Sequence, residues 1–272
     1  AVILTQLDKV ILSKMLSLEM FGYYTLASMV AMSLGCFFTP VFFSIYPRFT
    51  QLFSIGDQEG LKHLYHQGCQ FMSVLILPSA IVVALFSYEI LLLWTQNPTT
   101  AEKSHGLLSI LVCGTAINGL MYLPFALQLA SGWTKLSFLK NVIAVSLFVP
   151  LIIYMTTHYG AIGAARVWLG LNMCYLFFEI PIMHRRLLPK EKWRWYWQDV
   201  GVPLMVGLSL SILGRLFLNS MPSQFMTAAY LITISILTFG VTLISVPAMR
   251  SILYGQFLKI KLVYGTKSGL ND

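Results

Sequence analysis

The stretch VIAVSLFVPLIIYMTTHYGAIGAARVWLGLNMCYLFF, residues 142–178, holds one charged residue, Arg166. A helix needs roughly 20 mainly apolar residues to cross a bilayer, so this run is long enough for two crossings. Tyr159-Gly160-Ala161, near its middle, marks a tight return between them. The run therefore predicts two membrane helices, near 137–157 and 160–183. It lacks the polar/apolar alternation of a spanning β-strand.

Applied outward, the same test gives about eight apolar segments. The others lie near 1–16, 20–46, 69–94, 105–131, 200–218 and 225–248. The predicted fold is an all-α, polytopic transmembrane bundle of about eight helices. The segment at 20–46 exceeds what a bilayer requires and should tilt or project into water. Pro40, Pro78 and Pro124 fall inside helices and predict kinks. Asn97-Pro98-Thr99-Thr100 and Ser131-Gly132 mark turns, and the polar stretch Ser54 to Gln67 reads as a loop.

Composition agrees. Hydrophobic residues make up 57% of the chain and charged residues 10%, where soluble domains carry roughly 25% charged. A charge at the bilayer centre costs about 3 kcal/mol, and the charges here cluster between apolar runs. The net charge of +8 could suggest nucleic acid, but the basic residues are not gathered on one soluble face, so no nucleic-acid partner is expected. Cys36, Cys69, Cys113 and Cys174 lie in or beside apolar runs, without metal or disulfide spacing. His63 and His66 sit three apart in the expected loop, and His105, His158 and His184 are scattered. With no phosphate-binding glycine loop and no nucleophile elbow, neither an enzyme, a cofactor nor a metal is expected.

The basic residues fall in alternate loops. Lys135 and Lys140 follow the fourth segment, Arg185, Arg186, Lys190, Lys192 and Arg194 follow the sixth, and Arg250, Lys259, Lys261 and Lys267 lie in the tail. Loops of the other parity carry only Glu102 with Lys103, or no charge at 219–224. The positive-inside rule then places both ends of this chain in the cytoplasm. Trp193, Trp195, Tyr196 and Trp197 read as a headgroup-level aromatic belt. The tail beyond Arg250 has the makings of an amphipathic helix on the membrane surface. The chain is already apolar at Ala1, without a basic leader, and is expected to begin inside a helix as a piece of something longer.

Several stretches carry a resemblance. Gln6-Leu7-Asp8-Lys9-Val10-Ile11-Leu12-Ser13-Lys14, followed by Phe21-Gly22-Tyr23-Tyr24-Thr25-Leu26-Ala27, resembles the seventh and eighth helices of polysaccharide (O-antigen type) flippases. These belong to the multidrug/oligosaccharidyl-lipid/polysaccharide exporter superfamily. Tyr46-Pro47-Arg48-Phe49, the Gly56-Asp57 loop, Leu129-Ala130-Ser131-Gly132-Trp133-Thr134-Lys135 and Tyr159 to Ala165 continue the pattern, to about residue 190.

The resemblance implies residues 1–190 as the C-terminal lobe of a two-lobed transporter, residues 191–250 as two additional membrane helices and 251–272 as a cytoplasmic tail. It implies a missing N-terminal lobe as partner, and alternating access in the bacterial inner membrane. The substrate would be a polyprenyl-pyrophosphate-linked oligosaccharide, its tail in the lipid bilayer. An ion gradient is thought to drive such proteins, but the sequence shows no cage of carboxylates. A multidrug exporter of the same superfamily, a membrane-embedded polymerase or glycosyltransferase, and an inactive scaffold subunit are the rivals. The short outer loops weigh against the polymerase.

Asp8 is the first candidate for the substrate or ion pathway, because an intramembrane carboxylate is a functional hypothesis by default; solvation near the outer surface is the alternative. Lys9 can snorkel. Trp168, Asn172, Tyr175 and Glu179 share one face of an ideal helix, which is expected to meet either a wet cavity or a neighbouring helix. Arg166 lies nearly opposite that stripe, which favours interfacial snorkelling over phosphate binding. Thr115, Asn118 and Tyr122 share a face, with Asn118 either a sugar contact or an interhelix hydrogen bond. Gln128, Lys135, Lys140 and Arg48 could meet substrate phosphates at entry or simply hold the positive-inside orientation. Tyr24, Ser28, Ala31, Gly35 and Thr39 form a small-residue face suited to packing.

Overall fold

The structure is a computed structural model that describes residues 2–218 and 223–251, with side chains from Lys9 onward. The described elements are helical throughout. They are α1 (Val2–Met15), α2 (Leu18–Met32), α3 (Gly35–Ser54), α4 (Gln58–Leu85), α5 (Ser87–Thr95), α6 (Pro98–Leu120), α7 (Tyr122–Ala130) and α8 (Thr134–Cys174). A π-helical turn at Tyr175–Glu179 leads to α9 (Ile180–Leu187). The short α10 (Lys192–Arg194) leads through a second π-helical turn, Trp195–Gly201, into α11 (Val202–Phe217), and α12 (Gln224–Ser245) follows.

Six stretches among the described residues are long and apolar enough to cross a bilayer: Leu18–Ser54, Gln58–Leu85, Pro98–Ala130, Thr134–Leu187, Lys192–Phe217 and Gln224–Ser245. The chain is an all-α, multi-pass helical bundle. The Thr134–Leu187 stretch has 54 residues, which as one straight helix would reach about 80 Å, far beyond a bilayer core of about 30 Å. Gly160 folds it back, at φ 59° and ψ −145°. That backbone region is essentially closed to residues with a Cβ. The predicted return at 159–161 thus lies where the sequence placed it, and the stretch forms a hairpin.

Other breaks have equally local causes. The Asn97 side chain accepts from the backbone N–H groups of Thr99 and Thr100, at 3.0 and 3.1 Å, with Pro98 opening α6. Pro124 cannot donate to the carbonyl of Leu120, and the fourth segment divides at Met121 into α6 and α7. One expectation fails. Ser54 to Gln67 is not a loop: α4 starts at Gln58, capped by the Asp57 carboxylate, which accepts from the Gly60 N–H at 2.9 Å. Polarity there reports distance from the bilayer centre rather than lack of helix. His63 and His66 therefore ride on α4.

α4 and α6 form the middle of the bundle. Their apolar windows are each 67% buried, against 22% for Thr134–Leu187 and Gln224–Ser245. α6 packs on α2, α4, α5 and α8, and α4 packs on α3, α11 and α12. The small face of α2, with Tyr24, Ser28 and Ala31 buried, lies in this core. Exposed Leu147, Phe178, Leu216, Phe217 and Ile236 make the outer surface apolar, as hydrocarbon solvent permits. One end of the bundle gathers Arg186 over the Trp133 ring and the basic residues near Lys140 and Arg194. The other gathers an Arg215–Glu89 ion pair joining α11 to α5, and Ser87 bonded to Ser109. The amphipathic tail expected beyond Arg250 lies outside the described residues.

Candidate functional site

The polar stripe of the sixth segment divides in two. Asn172 is fully buried, and its Oδ1 accepts from Asn118 Nδ2 at 2.9 Å, while its own amide donates to the Trp168 carbonyl at 2.9 Å. Trp168 Nε1 donates to Thr115 Oγ1 at 3.4 Å. Trp168, Asn172, Asn118 and Thr115 thus join α8 to α6, the interhelical alternative for Asn118 and Asn172. Asn172→Ala leaves the Asn118 amide short of its partner and is expected to lower stability by about 0.6–1.7 kcal/mol. Adding Asn118→Ala should cost less than its single effect, which a double-mutant cycle of thermal unfolding on the intact protein would detect.

Tyr175 and Glu179 go elsewhere: Tyr175 lies between Leu171 and Asn172 on the helical wheel, on the Leu171 side, and the π-helical turn at Tyr175–Glu179 adds a residue that slips Glu179 off the Asn172 face. They line a groove of about 610 Å³ between the two arms of the hairpin. Its walls are apolar, with Ile143, Leu147 and Leu151 on one arm and Leu171, Phe178 and Ile182 on the other. Its polar groups stand at the ends. At the basic end, Lys140 Nζ lies 3.0 Å from both oxygens of Glu179, and 4.9 and 5.4 Å from the centres of the Tyr175 and Phe125 rings. Gln128 Nε2 donates to Glu179 Oε1 at 2.9 Å, and Ser137 Oγ donates to Gln128 Oε1 at 3.2 Å. The Glu179 side chain is 3% exposed and that of Lys140 18%. Such a pair is held by geometry: its Coulombic gain offsets a desolvation cost of several kcal/mol per ion.

Arg166 lines the far end of the same groove, 5.8 Å from the Tyr159 ring. The helical wheel is right that Arg166 and Asn172 look in different directions. The groove, however, lies on the arginine's side. Lys9 is half-buried on α1, which packs on α2 and α8; the Asp8 side chain lies outside the described residues. Lys135 and Arg48 are exposed, the latter bonded to Gln51. Among the described residues, no three His, Cys, Asp or Glu side chains are placed to hold a metal ion.

A second buried cluster has no counterpart in the sequence expectations. The His66 ring, 2% exposed, places Nδ1 2.5 Å from Asp199 Oδ2 and Nε2 3.0 Å from Glu191 Oε2. Gln70 Nε2 donates to the other Asp199 oxygen at 2.9 Å, and Gln70 Oε1 accepts from the Ala248 N–H at 3.1 Å. Asp199 is fully buried and sits on the second π-helical turn. Glu179 ends the first such turn, so two buried carboxylates of the chain share an uncommon backbone form that recurs at functional sites. His66 shows no signal in sequence beyond being a histidine, because its partners lie 125 and 133 residues away.

Comparison with known proteins places the arrangement in context. The family model described as MatE matches residues 2–178. A Shigella flexneri protein named "Putative O-antigen transporter" is 25% identical over 166 residues, which is 61% of this chain and 39% of that protein. No solved structure gives a significant match.

Proposed function

The chain belongs to the MatE family, and from that premise we propose that it supplies the C-terminal lobe, residues 1–190, and two further helices, residues 191–250, of a flippase. Its substrate is a polyprenyl-pyrophosphate-linked oligosaccharide of the bacterial inner membrane, moved by alternating access against an N-terminal lobe. In this proposal both ends of the chain are cytoplasmic, and Asp8 and Lys9 belong to the pathway.

One observation carries the proposal: the hairpin groove is apolar along its length and charged at its ends, with Lys140–Glu179 at the basic end and Arg166 at the other. An amphiphile with an anionic head and a long hydrocarbon tail can lie in such a groove, its tail along the apolar walls and its head at one charged end. The family membership and the printed name of the Shigella protein support it from outside the geometry.

Deleting the intact gene is expected to leave lipid-linked repeat units on the cytoplasmic face and to remove surface polysaccharide. Both are measurable by glycolipid labelling in spheroplasts and in everted vesicles. Normal surface polysaccharide in the deletion strain overturns the proposal. If drug accumulation rises in that strain, the small-molecule exporter of the same superfamily takes its place.

A further inference from the structure

We infer that His66, Asp199 and Glu191 share one exchangeable proton, and that this proton fastens the segment leading into α10 onto α4. The inference does not depend on the identity of the transported substrate.

Both nitrogens of the His66 ring face a carboxylate within hydrogen-bonding distance. A neutral imidazole has one N–H and one lone pair. One of its nitrogens would therefore oppose a carboxylate, lone pair against lone pair, on a ring that is 2% exposed. The observed geometry needs a further proton on the ring or on the facing carboxylate. With it, an imidazolium and two carboxylates sum to −1, and without it the triad holds −2. Arg194, 3.7 Å from Glu191, offsets part of that charge from the exposed side, but the contact between the ring and Glu191 still needs the proton.

The neighbouring groups decide which contact yields. On α4, Tyr65, Cys69 and Gln70 lie beside the ring, and Lys62 is within electrostatic reach of Glu191. From α9, His184 keeps its own pattern: Nδ1 donates to the Ile180 carbonyl at 2.9 Å, which leaves Nε2 to accept from Tyr65 at 3.3 Å. It therefore offers no proton to the triad. From the α10 segment, Lys192 and Arg194 add positive charge, with Arg194 3.7 Å from Glu191. The π-helical turn adds Trp195 and Tyr196. Asp199 is anchored by Gln70 and sealed from solvent. Glu191 is 20% exposed and already near Arg194. On deprotonation the proton leaves to water at that exposed side, and Glu191 turns toward Arg194.

Loss of that contact frees the segment leading into α10, while Asp199 and Ala248 keep their bonds to Gln70. Glu191 leads into α10, Asp199 precedes α11, and Gln70 holds the backbone just beyond α12 through Ala248.

The test is a distance measurement on the intact protein in lipid nanodiscs. Spin labels go at His63 on α4 and Trp193 on α10, both exposed. The distribution is expected to be narrow at about pH 6 and to gain a longer component at about pH 9. The longer population should grow about tenfold and reverse on reacidification. In Glu191→Gln the facing group carries no charge, so the distribution should stay narrow at both values. In His66→Gln it should be the same at both. A wild-type distribution that does not change with pH overturns the inference, as does a pH response that survives in either variant. Should His66→Gln fail to fold, the wild type against Glu191→Gln still decides.

Discussion

Glu179→Ala is expected to destabilise the intact protein by about 3–5 kcal/mol and to abolish export of the surface polysaccharide. The substitution removes both oxygens that Lys140 holds at 3.0 Å. It leaves an ammonium in an apolar groove, and strands Gln128 Nε2, which donates to the same carboxylate. Two aromatic rings remain near the lysine, but cation–π contacts worth about 0.5–2 kcal/mol do not replace a carboxylate. The double variant Lys140→Met with Glu179→Leu separates stability from function. Replacing a buried ion pair by apolar residues of similar volume is often neutral or stabilising, so thermal unfolding should return to the wild-type range while export stays lost. Wild-type export by a stable double variant would show the pair to be structural only.

The second large effect is expected at Gly163. A Cβ built there collides with the carbonyl oxygen of Met155 and lies 3.2 Å from Cβ of Tyr159. Both obstacles are on or next to the backbone of the opposite arm, so no side-chain rotation relieves them. Gly163→Ala should force the arms apart and cost about 3 kcal/mol, the upper end of overpacking effects. It should also lower the amount of intact protein in the membrane. Gly170→Ala is the matched control. It lies on the same arm with nothing within 4 Å of its would-be Cβ, so it should gain about 0.5–1 kcal/mol from helix propensity. Equal losses at the two positions would mean that the close approach at Gly163 is not what closes the hairpin.

Membrane crossings were legible because the bilayer imposes length and polarity on each segment independently. Gly160 and Asn97-Pro98 were legible because turn chemistry is local. Residues 58–67 were misread because hydropathy measures depth in the bilayer, and a helix that leaves the hydrocarbon loses that signal without losing its hydrogen bonds. The stripe Trp168, Asn172, Tyr175 and Glu179 was visible, but not its division, since a π-helical turn leaves no mark in apolar periodicity. Lys140 and Glu179 could each be named from sequence as polar residues in apolar surroundings. Their pairing across 39 residues follows only from the fold of the hairpin. The same holds more strongly for His66 and Asp199, whose partnership depends on α4 meeting the segment before α11.

The separation between His66 and Asp199 has a consequence for biosynthesis. Lys140 and Glu179 belong to one hairpin, so both arms can enter the membrane together with their charges already neutralised. His66 and Gln70 enter on α4, and Asp199 is polymerised 133 residues later. At about 5–20 residues per second that is a delay of roughly 7–27 s. During that time His66 and Gln70, near the end of α4 that leaves the hydrocarbon, are unanswered by their own chain. The nascent protein thus passes through a defined interval in which a membrane chaperone, or a protease that recognises unsatisfied polar groups, has its best opportunity to act. Arrival of the π-helical turn closes that interval.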